Sequence, residues 1–323
     1  MLIFVLKKQV PPSRTDGCKK MAEAIPGDAD WARPIKRWTF SWRGSAKKDD
    51  RIPMTISPNI DDMMGRILLD QKPPQVTISH DQAMRTPVPI NLPKWEGPPV
   101  AKLQYPYEPS SRLGYALLKK QAVDFKDIHF VNGTSFIYAL AGDSSYTKDS
   151  FYVDFEGDCI CVLHLPKVKT HALDSAGHRC EHLFAPNRMN LHTSFHAANI
   201  LQIGDFRVCV ASEIDCCDDP ARAEDTLVEM KSSSRGLGAM ISGAKVAIQV
   251  GINGSKRVLC CHVDKSTSKI IGMESHTTED IQKRSNYGWT YSGQRVKYLL
   301  QHIRRICLEK RAIVIIKKTI QFQ

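Results

Sequence analysis

None of the ten cysteines falls in a Cys-x-x-Cys pair, which removes the commonest zinc-ribbon and thiol–disulfide motifs. Nor do they have the spacing of a secreted disulfide framework. Several sit in apolar, strand-like runs, as small buried hydrophobes do, and the expected compartment is a reducing one. Long apolar runs are missing too. Residues 1–6 are apolar but stop at Lys7-Lys8, too short for a signal-peptide core or a bilayer span, and no other window is long enough. A membrane partner is therefore not expected, and the reading is an intracellular protein of the nucleus, the cytoplasm or both. The sequons at Asn132 and Asn253 are then accidental. An acidic excess is also lacking. With 45 Lys and Arg against 34 Asp and Glu, the net charge is +11 and the isoelectric point about 9.1. That balance suits a polyanionic partner, although basic residues also serve solubility.

What is present is enough apolar material, 42% of 323 residues, to bury a large core. The pattern predicts an α/β (α+β) fold, with mixed, twisted β-sheets flanked by helices. Residues 1–30 mix Pro, Lys, Ser and Gly without periodicity and read as a flexible N-terminal arm. Residues 31–323 read as one domain. Residues 31–43 interleave aromatic and basic side chains, as an edge strand with surface charge or as a base-stacking strip. Helices are expected near residues 61–69, over 110–123, and where Val296, Leu299, Leu300, Ile303, Ile306 and Cys307 recur at helical spacing. Strands are expected at 136–140, 151–155, 159–165 and 311–323. Residues 246–252 and 257–263 are expected to form a hairpin turned by Asn253-Gly254.

The chemistry concentrates between residues 211 and 234. Glu213-Ile214-Asp215 closes the apolar run 206–210, and Glu229-Met230-Lys231 closes 226–228. In a strand, residues i and i+2 share a face, so each couplet offers two functional heads while Ile214 or Met230 turns inward. A β-hairpin pairing the two couplets would gather Glu213, Asp215, Glu229 and Lys231 on one surface. Carboxylates so placed repel one another unless a cation intervenes, and Mg²⁺ or Mn²⁺ takes such oxygen ligands. The lysine supplies a fixed positive charge beside a phosphoryl group. Acid followed by acid-x-lysine is the pattern of metal-dependent phosphodiester nucleases, although either couplet alone also occurs as a solvated strand face.

Upstream stands Gly177-His178-Arg179-Cys180-Glu181. Gly-x-x-x-Glu, Glu-Ile-Asp and Glu-Met-Lys, in this order and spacing, resemble the active-site motifs of the DXO family of RNA decapping exonucleases, and the resemblance runs from about Arg33 onward. It implies a divalent metal, Mg²⁺ or Mn²⁺, held by Glu181, Glu213, Asp215, Glu229 and the Met230 carbonyl. By the same resemblance Lys231 is the catalytic cation beside the scissile phosphate, acting with Glu213, Asp215 and Glu229. The implied substrate wall is Asn132, Gly133, Thr134 and His196, together with Glu213 and Lys231. The implied activity is removal of incomplete guanosine caps or NAD caps from RNA 5′ ends, or attack on a 5′ triphosphate. Decay from 5′ to 3′ would follow, with a partner exoribonuclease as a further expected associate. Two departures stand out. Asn132 occupies the place of an arginine in an Arg-Gly-Thr-like motif, and no glutamine is assigned after the Glu-x-Lys strand. They motivate a rival reading, a catalytically weakened paralogue that binds RNA 5′ ends as a regulator; a DNA-acting nuclease is the other.

Overall fold

A computed structural model of the chain describes residues 2–5, 31–43, 59–94, 110–141, 150–165, 175–186, 193–234, 244–310 and 314–317. The strands among them are β1 (Leu2–Val5), β2 (Arg33–Arg43), β3 (Ile67–Leu68), β4 (Ile90–Asn91), β5 (Phe130–Gly133), β6 (Ser150–Glu156) and β7 (Cys159–Leu165). They continue with β8 (Thr193–Ile203), β9 (Phe206–Glu213), β10 (Cys216–Cys217), β11 (Leu227–Ser233), β12 (Arg257–Asp264), β13 (Lys269–Thr277) and β14 (Val314–Lys317). The helices are α1 (Ile60–Arg66), α2 (His80–Arg85), α3 (Ser110–Lys120), α4 (Thr134–Ala141), α5 (Ala176–Phe184), α6 (Ala244–Asn253), α7 (Thr278–Arg284) and α8 (Asn286–Lys310).

Two mixed sheets result, in agreement with the expected fold class. The larger has the order β1-β14-β6-β7-β5-β9-β8-β2-β3, and the smaller β10-β11-β12-β13-β4. In the larger sheet β5 runs parallel to both its neighbours, β7 and β9, so the carboxyl ends of β5 and β9 lie side by side. One core fills the space between the sheets: Val208 and Val210 of β9, Val250 and Ile252 of α6, and Val258 and Cys260 of β12 belong to one buried cluster. The opposite face of the larger sheet is covered by α3. There Gly114 permits close contact, since a Cβ at that position would lie 3.0 Å from the Ala211 Cβ.

β6 and β7 form the expected antiparallel pair, turned through Gly157 at φ +58, and the helical stripe is the buried face of α8. Residues 314–317 of the expected last strand pair with β6, and Leu2–Val5 at the head of the expected arm pairs parallel with β14. Most of the expected arm, residues 6–30, lies outside the described residues. β2 sits between β8 and β3 rather than at an edge, although β3 covers only Ser41 and Trp42.

Three expectations change. Residues 136–140 form the body of helix α4, and 246–252 belong to helix α6, not to a hairpin. Both segments are largely apolar because each packs among other elements, and a short apolar run does not by itself distinguish helix from strand. Asn253-Gly254 ends α6, with Gly254 in the left-handed region at φ +81, a conformation that stops a helix as readily as it turns a hairpin. The third change concerns the couplets. β9 pairs with β5 and β8 in the larger sheet, whereas β11 pairs with β10 and β12 in the smaller one. The acid-x-acid and acid-x-lysine stretches are therefore not two arms of one hairpin.

Candidate active site

The chain crosses from one sheet to the other at the first couplet. β9 ends at Glu213, Ile214 is buried, Asp215 is 9% exposed, and β10 begins at Cys216. β10 pairs with β11 only through Cys216 with Val228 and Cys217 with Leu227. Beyond Val228, no described strand flanks β11 on that side. Asp215 fills the gap: its Oδ2 accepts the Met230 N–H at 2.8 Å, a donor that a longer β10 would have used. N–H and C=O of a strand residue point to the same side, so the Met230 carbonyl faces this open edge as well. The Met230 side chain turns inward, 5% exposed.

Glu229 and Lys231 share a face of β11. Glu229 is buried and fully engaged: Oε1 accepts from Lys231 Nζ and from Gln249 Nε2, and Oε2 accepts from Asn253 Nδ2 at 2.9 Å. Gln249 and Asn253 are four residues apart on α6 and so lie on one helix face. Helix α5 brings in Glu181. Its Cys180 and Phe184 anchor it in the apolar cluster that holds Met230, Leu259 and Cys261, and Ser175 caps its start, accepting the His178 N–H at 3.3 Å. Burial works against the Lys231 ammonium, but Glu229, Asp215 and Glu181 outweigh it and raise its pKa above the ordinary value. Three acids from three elements thus act on one ammonium.

The chemistry of this donor set suits a hard divalent cation, because three carboxylates against one ammonium leave two negative charges. In the arrangement described, the Asp215 and Glu229 carboxylates face N–H donors. Among the described residues no three His, Cys, Asp or Glu side chains are already gathered at ligand spacing.

The remaining expected residues are placed differently. Glu213 is exposed at the end of β9, opposite His196 of β8. His196 is packed, with its ring stacked on Phe40 at 5.5 Å and its Nε2 2.7 Å from Ser194 Oγ. Asn132 lies at 0% exposure opposite Val210, and neither atom of its carboxamide has a partner among the described residues. Gly133 lies against the start of α3, where a Cβ would meet that of Ser110 at 3.4 Å. Thr134 opens α4, with its hydroxyl buried and likewise unpartnered among the described residues. Sequence reasoning missed Gln249 and Asn253, the glutamine included. The available signal was three polar residues at four-residue spacing, Lys245, Gln249 and Asn253, in the otherwise apolar helix Ala244–Asn253.

No protein-family model matches the chain, and no curated protein matches it. Solved structures do. Rai1 of S. pombe in complex with 3′-FADP is similar at TM-score 0.56 and 14% identity, over 86% of each chain. Dxo1 of K. lactis in complex with manganese is similar at TM-score 0.56 and 13% identity, over 87% of this chain and 83% of that one. Rai1 of Candida albicans in complex with pU5 and Mn²⁺ gives TM-score 0.54 and 13% identity, over 84% and 83%. Over 86% of its length the chain therefore has the fold of the Rai1 and Dxo1 structures, the fold that its three acidic motifs lead one to expect.

Proposed function

We propose that this protein is a metal-dependent hydrolase acting on RNA 5′ ends. The observation that carries the reading is the Lys231–Glu229 ion pair on β11 beside Asp215, whose carboxylate takes the neighbouring Met230 N–H, with Asp215 and Glu181 among the acids that act on the same ammonium. The solved structures of the same fold that contain manganese, 3′-FADP or pU5 with Mn²⁺ lend it support. The residues to hold Mg²⁺ or Mn²⁺ are Glu181, Asp215 and Glu229 with the Met230 carbonyl, and Glu213 from the exposed end of β9. A bound divalent ion supplies neutralisation of phosphoryl charge and a bound water of lowered pKa.

The chain's own residues do the rest. Lys231, kept protonated by its three acids, offers a fixed positive charge to a phosphoryl oxygen. Gln249 and Asn253 hold the Glu229 carboxylate in one orientation. The net positive charge favours approach of a polyanion. The substrates proposed are incomplete guanosine caps, NAD caps and 5′ triphosphates, with 5′ to 3′ decay after the first cut, in the nucleus, the cytoplasm or both, alone or beside a partner exoribonuclease.

The buried Asn132 favours a second reading. A side chain at 0% exposure brings no cation to the substrate phosphate, which fits a protein that binds RNA 5′ ends with little turnover. One experiment separates the two: Mn²⁺-dependent release from 5′-labelled RNAs bearing a triphosphate, an unmethylated cap, a methylated cap or NAD, with Glu229→Ala as control. Turnover lost in the variant supports the hydrolase and ranks its substrates. RNA binding without turnover on any end supports the second reading, and preference for matched DNA would overturn both.

A further inference from the structure

Helix α6 carries Gln249 and Asn253, and its own position depends on the larger sheet. The last carbonyls of a helix have no partner within it and must find donors elsewhere. Here one side chain serves two of them: Asn199 Nδ2, on β8, donates to the Ile252 carbonyl at 2.9 Å and to the Asn253 carbonyl at 3.2 Å. Asn199 is completely buried. Its Oδ1 in turn accepts from Arg37 Nε on β2 at 2.5 Å, while Arg37 Nη1 donates to the Glu224 carbonyl at 2.5 Å. The guanidinium occupies the space over Gly254, where a Cβ would lie 1.8 Å from Nη2, and a cation at a helix C-terminus is favourable in itself.

The same network fixes the side chain that matters. Asn253 Oδ1 accepts the Ser255 N–H at 2.9 Å, which leaves Nδ2 to donate to Glu229 Oε2 at 2.9 Å. An unbroken run of hydrogen bonds therefore links Arg37, Asn199, the end of α6, Asn253 and Glu229. Partners that orient a functional carboxylate typically matter by 10- to 100-fold in metal affinity or activity.

We infer that Asn199, braced by Arg37, is a positioning residue: by holding the C-terminal turn of α6 to the larger sheet it sets Asn253 and Gln249, and through them the orientation of Glu229. The inference rests on Glu229 belonging to the catalytic centre proposed above.

Two variants separate this role from simple satisfaction of a half-buried arginine. Asn199→Ala removes both contacts. Asn199→Asp keeps an oxygen for Arg37 but withdraws the N–H donors from the helix carbonyls. Each is compared with the wild-type protein in kcat and KM on the best 5′-labelled RNA, in Mn²⁺ affinity by titration calorimetry, and in hydrogen exchange across residues 248–254. The expected result is the same for both: kcat and Mn²⁺ affinity lower by about 10- to 100-fold, KM for RNA unchanged, and faster exchange in the last turn of α6. Should Asn199→Ala fail to fold, Asn199→Asp decides alone. Wild-type kcat, Mn²⁺ affinity and exchange in Asn199→Asp would overturn the inference. A wild-type protein that neither binds Mn²⁺ nor turns over RNA overturns the functional reading instead, and the exchange data then judge the link from Asn199 to α6 by themselves.

Discussion

The Met230 N–H, on a strand of the smaller sheet, donates to the carboxylate of Asp215 at 2.8 Å, and this bond joins the two couplets proposed to carry the chemistry. It replaces a strand-to-strand bond with a side chain. Asp215 consequently has a structural duty beside any catalytic one.

That double duty is separable. Asp215→Ala leaves the Met230 N–H without an acceptor in a buried place, at an expected cost of about 1–3 kcal/mol. Asp215→Asn keeps an oxygen acceptor and should recover most of that stability while losing the charge, and with it Mn²⁺ binding. Urea unfolding of the two variants beside wild type checks this; equal destabilisation by both would mean that the charge, not the acceptor, supports the edge.

Lys231 makes a pH-dependent contribution. Its pKa is raised above the ordinary 10.5 in the folded state, because Glu229, Asp215 and Glu181 outweigh the opposing effect of burial. A raised folded pKa gives stabilisation that is complete below the unfolded value and is lost as pH rises through the folded one. The unfolding free-energy gap between wild type and Lys231→Met should thus stay flat from about pH 7 to about pH 9 and change only above about pH 10.5, in the direction of a weaker wild type. Denaturation series at several pH values read this directly; a gap that moves near neutrality would implicate a different group.

Asn132 offers a test of opposite sign. Its carboxamide is buried with no partner among the described residues, and replacing an orphaned polar group by an apolar one of similar shape is neutral to stabilising. Asn132→Leu is expected to raise stability by up to about 1 kcal/mol, whereas Asn132→Arg, restoring the residue type of the related motif, should destabilise by about 1–3 kcal/mol through overpacking. A clear loss of stability in Asn132→Leu would reveal a polar partner for the amide.

Gly254→Ala should be costly for two independent reasons. The residue sits at φ +81, where a Cβ costs about 1–2 kcal/mol, and that Cβ would also displace the Arg37 guanidinium. Thermal unfolding of Gly254→Ala beside Arg37→Ala tests the second part: if the guanidinium is the obstacle, the glycine substitution costs less when Arg37 is already gone.

Much of this architecture was legible because its signals are local. The run Ser150–Leu165 shows two apolar strands around a glycine turn, and the stripe through Val296, Leu300, Ile303 and Cys307 has one buried face. The three acidic stretches stand out as candidates for chemistry because their residue types and spacing are unusual together. Helices α4 and α6 were not legible, since short, largely apolar runs do not by themselves distinguish helix from strand. Sheet membership was equally hidden. Glu213 and Glu229 lie 16 residues apart in the chain, yet the intervening residues form β10 and end a strand pairing after two steps, beside contacts of β10 with residues 74–76 far upstream. Gln249 and Asn253 became functional candidates only once α6 lay over Glu229.

The shortness of β10 has one further consequence. An unpaired strand edge is a template on which another chain can add a strand, and proteins commonly guard such edges with charge. Along the edge of β11 that no described strand covers, the charges able to act as that guard are Glu181, Asp215 and Lys231, three of the residues proposed for chemistry. Neutralising them together to obtain an inert protein would also disarm the edge, so multiply substituted inactive variants should self-associate where single substitutions stay monodisperse.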